Sequence, residues 1–289
     1  MSAAPKTTDL LLSLKNFPIF PIVVVFPTPL TPETTITADL LFPRSFKFFS
    51  YLRRRNLDVL IVGASGGIGQ ALAENYTVNG HHVIGTYCKT VPPKLSESID
   101  LVPMDPSQDA DIQNSLSKIS SLDLVINCVG FLSSEDGLPE KTIRKFEASG
   151  LEESIRINAL PTLLIAKHTQ KLLRKSSQSV FATISAKVGS IEDNQLGGWY
   201  SYRISKAALN MALKTLSIEW SKSVPNCCVA ALHPGTVTTK LSAPFVGEGK
   251  KHTLLSASQC AAHLSQIVNN LKPQDTGRFW SWNGDEICW

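Results

Sequence analysis

Tyr202 and Lys206 stand four residues apart in Gly197-Gly-Trp-Tyr-Ser-Tyr202-Arg-Ile-Ser-Lys206-Ala-Ala-Leu-Asn210. On a helix this spacing shares one face, so the ammonium can lie beside the phenol. A free tyrosine titrates near ~10, too high for proton exchange at neutral pH, and an adjacent cation lowers that value. Tyr202 is therefore a candidate general acid/base, and the chemistry expected is proton exchange at a substrate oxygen. Neighbouring Tyr200 lies six residues before Lys206, on another part of the helix surface, and reads as pocket lining. The histidines form no cluster: His233 precedes a Pro-Gly turn, His81-His82 precede a strand and His168 lies mid-helix. Packing or solvent exposure accounts for them better than catalysis.

Helices and strands must position this pair. From Leu57 onward the pattern strand, turn, helix repeats, the signature of an α/β fold with a Rossmann-type, doubly wound parallel sheet in one domain over 57–289. Strands are predicted at Leu57–Val62, His82–Tyr87, Leu101–Met104, Leu122–Cys128, Ser179–Ser185 and Cys227–Leu232. The first helix is predicted over about Gly67–Asn79. Two long amphipathic helices follow, Leu151–Arg174 with a kink at Pro161, and Trp199–Lys222. No internal repeat is visible.

The first strand runs into Gly63-Ala-Ser65-Gly-Gly67-Ile68-Gly69 and then a helix. In that context backbone N–H groups and the positive helix end face the place of a pyrophosphate, and the glycines permit close approach. The alternative is a tight turn with no ligand. At the end of the second strand, where a carboxylate would hold a ribose 2′-hydroxyl, the chain has Thr86-Tyr87-Cys88-Lys89. Lys89 suits a 2′-phosphate, so NADP(H) is expected over NAD(H), the alternative being a solvated surface charge.

In these motifs the chain resembles the short-chain dehydrogenase/reductase family across essentially all of 57–289. The glycine turn, Asn127-Cys-Val-Gly130, Asn158, Ser185, Tyr202-x-x-x-Lys206 and Pro234-Gly235 occur in the family's order. Val188-Gly-Ser-Ile, Leu196-Gly-Gly-Trp-Tyr-Ser-Tyr202, His233-Pro-Gly-Thr-Val-Thr-Thr239 and the Trp-ended tail resemble its C-factor-like (C-signal-like) branch. The resemblance implies that Tyr202 exchanges the proton and that Lys206 acidifies it and binds the nicotinamide ribose. It implies that Ser185 hydrogen-bonds the carbonyl oxygen and that Asn158 holds a water linking Lys206 to solvent. By the same resemblance Asp105 contacts the adenine, Asn127, Gly130, Pro234 and Gly235 line the cofactor cleft, and Val237 and Thr239 meet the carboxamide or pyrophosphate. Each softer assignment has a structural alternative: Asn127 bridging strands, Asp105 capping a helix, Thr239 satisfying a turn. Val62 and Cys128-Val129 depart from the family pattern. So does a longer interval between Ser185 and Tyr202, whose insert Ile191–Gly198 is expected to shape the substrate pocket.

The implied activity is hydride transfer between nicotinamide and a small carbonyl or alcohol substrate. A cofactor-binding signalling or scaffold protein with little turnover is the competing reading. The loop Leu241–His252 suits a mobile lid. Its Lys250, Lys251 and His252 would favour an anionic substrate, unless they form a solvated tip. The resemblance implies that the two long helices pack against a partner's copies, and their apolar faces are broad enough for a homodimer or homotetramer. The aromatic tail, with Phe279, Trp280, Trp282 and Trp289, suits packing near the pocket or across an interface.

Residues 1–56 differ in character. They hold seven prolines and seven Lys/Arg against three Asp/Glu, so the whole surplus of +4 comes from this segment and the remainder is balanced at 21 of each sign. Nucleic-acid binding gains little support. The run Ile19–Phe26 is too short to span a bilayer and is broken by Pro21, so no membrane span is expected. Two readings of the segment stay open. It is an organellar transit peptide, placing the protein in the plastid (chloroplast) or mitochondrion, or a disordered extension of a cytoplasmic protein. The six cysteines lack the spacing of a zinc site and read as reduced thiols, with Cys227-Cys228 as small apolar packing, so no metal is assigned.

Overall fold

Eight strands form one sheet in the computed structural model, in the order β3-β2-β1-β4-β5-β6-β9-β10. The strands are β1 (Asp58–Val62), β2 (His82–Tyr87), β3 (Ile99–Pro103), β4 (Leu124–Asn127), β5 (Ser179–Ile184), β6 (Cys227–His233), β9 (Arg278–Ser281) and β10 (Glu286–Ile287). All pairings are parallel except that of β9 with β10. The helices are α1 (Gly67–Val78), α2 (Asp109–Leu116), α3 (Ala148–Asn158), α4 (Leu160–Leu173), α5 (Tyr200–Ser223) and α6 (Ala257–Asn270). The short pair β7 (Thr236–Val237) and β8 (Leu254–Leu255) forms a second sheet. The structure describes residues 56–92, 95, 97–132, 139–239 and 254–289. The N-terminal segment and the lid loop expected from the sequence lie outside the described residues.

Strand period and helix period together build two cores. Val59 and Ile61 of β1 pack on one face with Leu72 of α1 and Leu264 of α6. Leu60 and Val62 point to the other, with Ile165 of α4 and Leu209 and Trp220 of α5. Helices on both faces explain why these strands read as continuous apolar runs. Strand order turns back between β1 and β4, and the crevice at their C-terminal ends is where a doubly wound sheet binds its ligand. Among the described residues no helix is long and apolar enough to cross a membrane.

The expected helix Leu151–Arg174 is two helices, broken at Ala159 (φ −109°, ψ −49°). Pro161 has no N–H to continue the earlier ladder and is instead tolerated in the first turn of α4. The tail is also more than aromatic packing. It supplies the last two strands of one side of the sheet, β9 and the edge strand β10, buries Phe279 completely, and stacks Trp289 on that ring at 5.6 Å.

At the opposite end of the sheet, His82 ties three strands together. Its ring nitrogens lie 3.0 Å from Asp58 at the start of β1 and 3.0 Å from Asp100 on β3. Hydrogen bonds to Asp100 and then Asp58 raise its pKa above the ordinary 6.5. A raised folded value means the stabilisation is fully present below the unfolded pKa and is lost as pH rises through the folded one. The His82 side chain is 47% exposed, so solvent screening keeps the effect small. In urea titrations His82→Gln is expected to match the parent at pH 9 and to unfold at lower urea at pH 5.5. An equal deficit at both pH values would show that the ion pairs contribute nothing.

Candidate active site

The glycine turn joins β1 to α1 and is braced by β2. Gly63 ends β1 at φ +82°, a left-handed conformation that suits glycine, and its N–H donates to Thr86 Oγ1 at 3.2 Å. Thr86 O accepts from Ala64 N, so β2 holds the turn from the side. The α1 N-terminus has no side-chain cap. Its first N–H groups therefore remain available to an anion. At Gly69 a Cβ would stand 2.2 Å from Gly63 O, and at Gly67 it would meet Thr239 Cγ2 at 3.0 Å. Glycine thus lets the helix close onto its own turn and brings Thr239 over the helix end.

A cleft of about 210 Å³ opens beside this turn, lined by Gly63, Ser65, Thr86, Cys88, Met104 and Gly130 among others. Ile68 follows in the first turn of α1 and packs against the core. Lys89 stands exposed next to Cys88, and its charge is felt by both Cys88 and Asp105. Asp105 lies between the lining residues Met104 and Pro106. Hydrogen bonds from the Ser107 hydroxyl and amide hold its carboxyl below the ordinary range, so Oδ1 serves the local turn. Asn127 is likewise engaged: Nδ2 donates to Thr162 Oγ1 at 2.9 Å and Oδ1 accepts from Val129 N at 3.0 Å. Both side chains shape the cleft through their neighbours. Gly235 turns at φ +76° against the Trp282 ring, and Pro234 O accepts from Cys260 Sγ. Val237 is buried in β7.

Tyr202 and Lys206 lie one turn apart on α5, with Lys206 Nζ 5.9 Å from the Tyr202 ring centroid. Lys206 is 2% exposed and donates to Ile184 O at 3.1 Å, which ties it to the end of β5 just before Ser185. A Cβ on Gly130 would lie 3.8 Å from Lys206 Nζ and 3.9 Å from Asn158 Oδ1, so the loop after β4 meets both residues. Asn158 clamps that loop. Oδ1 accepts from Phe131 N, and Nδ2 donates to Phe131 O and to Ser205 Oγ. Ser185 is buried and donates to Asn210 Oδ1 at 2.6 Å. All four expected catalytic residues converge at the sheet's C-terminal edge.

The electrostatics correct one expectation. Tyr202 is not pulled down by its cation. Burial pushes the phenol up, and burial lowers Lys206 to about 8. Removing water penalises a phenolate and an ammonium alike, and at this separation dehydration outweighs their attraction. Near pH 7 the pair is thus a protonated phenol beside a mostly protonated amine, an arrangement suited to giving a proton to a developing alkoxide. His233 is held near 4 by burial and then by Lys187, and its neutral Nδ1 accepts from Lys187 N at 3.3 Å.

Three further contributors carry no local signal in the sequence. Trp199 enters α5 at φ +53°, a left-handed conformation costing about 1–2 kcal/mol in a non-glycine residue. Its ring packs edge-on to Tyr202 at 6.2 Å. Glu140, distant in sequence, accepts from the Trp199 and Ser201 N–H groups and the Ser201 hydroxyl, replacing a local helix cap. Gly189 presses on α5 so closely that a Cβ would stand 2.8 Å from Lys206 C and Cβ.

A model of the short chain dehydrogenase family matches residues 58–248. The chain belongs to that family. It is an NAD(P)-dependent oxidoreductase of the short-chain type, and its resemblance to C-signal holds. C-signal of Myxococcus xanthus is 30% identical over 139 residues, 48% of this chain and 78% of that protein. A Rhodococcus sp. (strain AD45) relative, 1-hydroxy-2-glutathionyl-2-methyl-3-butene dehydrogenase, is 30% identical over 243 residues, 80% of this chain and 99% of its own. The NADPH-bound carbonyl reductase from chicken fatty liver superposes with a TM-score of 0.70 at 24% identity, over 82% of this chain and 96% of the other.

The close approach at Gly189 yields a test. Gly189→Ala must push the 187–189 turn and α5 apart. A displacement of about 1 Å at reacting groups can cost 100-fold in rate. The variant is expected to keep its circular dichroism and cofactor binding while kcat/KM falls about 100-fold. An unchanged kcat/KM would mean that this contact does not position Lys206.

Proposed function

We propose that the protein is an NADP(H)-dependent carbonyl reductase or alcohol dehydrogenase acting on a small substrate, with Tyr202 as the proton donor. The observation that carries this reading is the pair itself: a half-buried phenol kept protonated, one turn from a buried lysine near 8 that lies beside Gly130 of the cleft lining. The uncapped α1 N-terminus would hold the pyrophosphate and Lys89 a 2′-phosphate. When bound, the cofactor supplies or takes up the hydride. The chain's own residues handle the oxygen: Ser185 orients the carbonyl, Tyr202 delivers the proton, and the Lys206 ammonium stabilises the phenolate left behind. The pair operates best as an acid while Lys206 is charged, so reduction should weaken as pH rises through about 8.

Ile155, Ile204, Met211 and Ile218 are exposed on the outer surfaces of α3 and α5. These helices supply the apolar surface for a homodimer or homotetramer, and Met211→Glu should shift sedimentation toward the monomer. An unchanged sedimentation coefficient would place the interface elsewhere.

A panel of aldehydes and ketones with NADPH, followed by loss of nicotinamide absorbance, tests the activity. Turnover should fall above pH 8 and drop about 1,000-fold in Tyr202→Phe, within the usual range for losing a general acid. Lys89→Ala should weaken NADPH binding about tenfold, and leave NADH binding unchanged, if one charge-assisted contact is lost. Cofactor binding without turnover of any carbonyl would favour the scaffold reading. Tighter binding of NADH than NADPH would overturn the 2′-phosphate role of Lys89.

A further inference from the structure

Ser185 has one hydroxyl proton, and the structure directs it away from a substrate. It goes to Asn210 Oδ1 at 2.6 Å, so Ser185 as it stands offers a substrate carbonyl only lone pairs. Two carbonyl-type oxygens cannot share that proton well. Reduction needs the opposite polarity, with the proton pointing at the substrate oxygen.

Asn210 has the means to reverse it. It lies four residues after Lys206 and eight after Tyr202, on the same face of α5, and is 4% exposed. Its Nδ2 is buried and has no hydrogen-bond partner among the described residues. Nothing there locks the amide in one orientation. Turned about its terminal bond, the same amide would place Nδ2 on Ser185 Oγ as a donor, and the hydroxyl proton would be free to swing into the cleft. The Thr183 hydroxyl of β5 is also buried without a partner among the described residues, two residues before Ser185 and so on the same side of the chain. This side of the strand therefore holds polar groups whose hydrogen bonds are not saturated, and the Asn210 amide is held by the Ser185 bond where Asn158 and Asn127 are fixed by two or more bonds each.

We propose that Asn210 is a positioning residue for carbonyl reduction: its amide sets which way the Ser185 proton points, and presents Nδ2 to Ser185 when substrate binds. This rests on the reading of the protein as a carbonyl reductase. Asn210 touches neither substrate nor cofactor and acts through Ser185.

A double-mutant cycle on the full chain isolates that coupling, since residues acting through one another give non-additive losses. The parent, Asn210→Ala, Ser185→Ala and the double variant are compared for kcat and KM with the best carbonyl of the panel, alongside thermal midpoints and NADPH affinity. Ser185→Ala should cost about 100-fold in kcat, a usual loss for one donor at a developing oxyanion. Asn210→Ala should cost about tenfold in kcat, with NADPH affinity unmoved, and nothing further when Ser185 is already alanine. Losses that multiply in the double variant, or an Asn210→Ala rate equal to the parent's, would overturn the proposal while leaving the reductase intact. Asn210→Ser, small enough to fit and able to donate or accept, should recover part of the rate, which guards against a variant that merely packs badly. No turnover by the parent would overturn the reductase reading, and this inference with it.

Discussion

Keeping an ammonium out of water is the constraint around which the Tyr202–Lys206 end of this fold is arranged. Lys206 is almost wholly buried, and an isolated charge there would be expensive. The surroundings meet that cost in part. Ile184 O accepts one of its protons, and Gly130 of the loop after β4 lies beside Nζ. Asn158 fixes that loop through Phe131, and Gly189 lets a short turn lie directly against the Lys206 backbone. The remaining cost appears as a pKa brought down to about 8, within reach of physiological pH. Each contact that buries Lys206 also draws β4, β5 and α5 toward one point.

The end proposed for the nucleotide obeys a different rule. Its currency is backbone, not side chain. The turn after β1 works because Gly63 can adopt a left-handed conformation, Gly69 can approach Gly63 O, and no side chain caps α1. Thr86 and Thr239 hold the turn from either side. The strand order, reversing between β1 and β4, places this turn and the Tyr202–Lys206 pair on the same edge of the sheet. One sheet topology therefore serves both ends of the proposed site.

Local patterns made much of this legible in the sequence. Four-residue spacing on one helix placed Lys206 beside Tyr202, and a glycine run between strand and helix marked the turn proposed for a phosphate. Apolar runs located six strands, each within two residues of its observed start. What escaped depends on contacts between distant segments. Glu140 caps α5 from some 60 residues away, Gly189 matters because of what packs on it, and Asn210 matters because Ser185 reaches it from another element. The direction of the Tyr202 shift was missed for the same reason: a neighbouring charge is visible in a sequence, while the loss of water around both groups is not. Strands β9 and β10 are four and two residues long, too short for alternation to register.

Titration of Lys206 itself tests this account most directly. With 13C-labelled lysine in the full chain, and Lys206→Arg to assign the signal, the side-chain shift is followed by NMR from pH 6 to 11. One resonance titrating near 8, absent from the variant, is the predicted result. If instead every lysine titrates near the ordinary ~10.4, the ammonium is solvated, and burial is not what shapes the site.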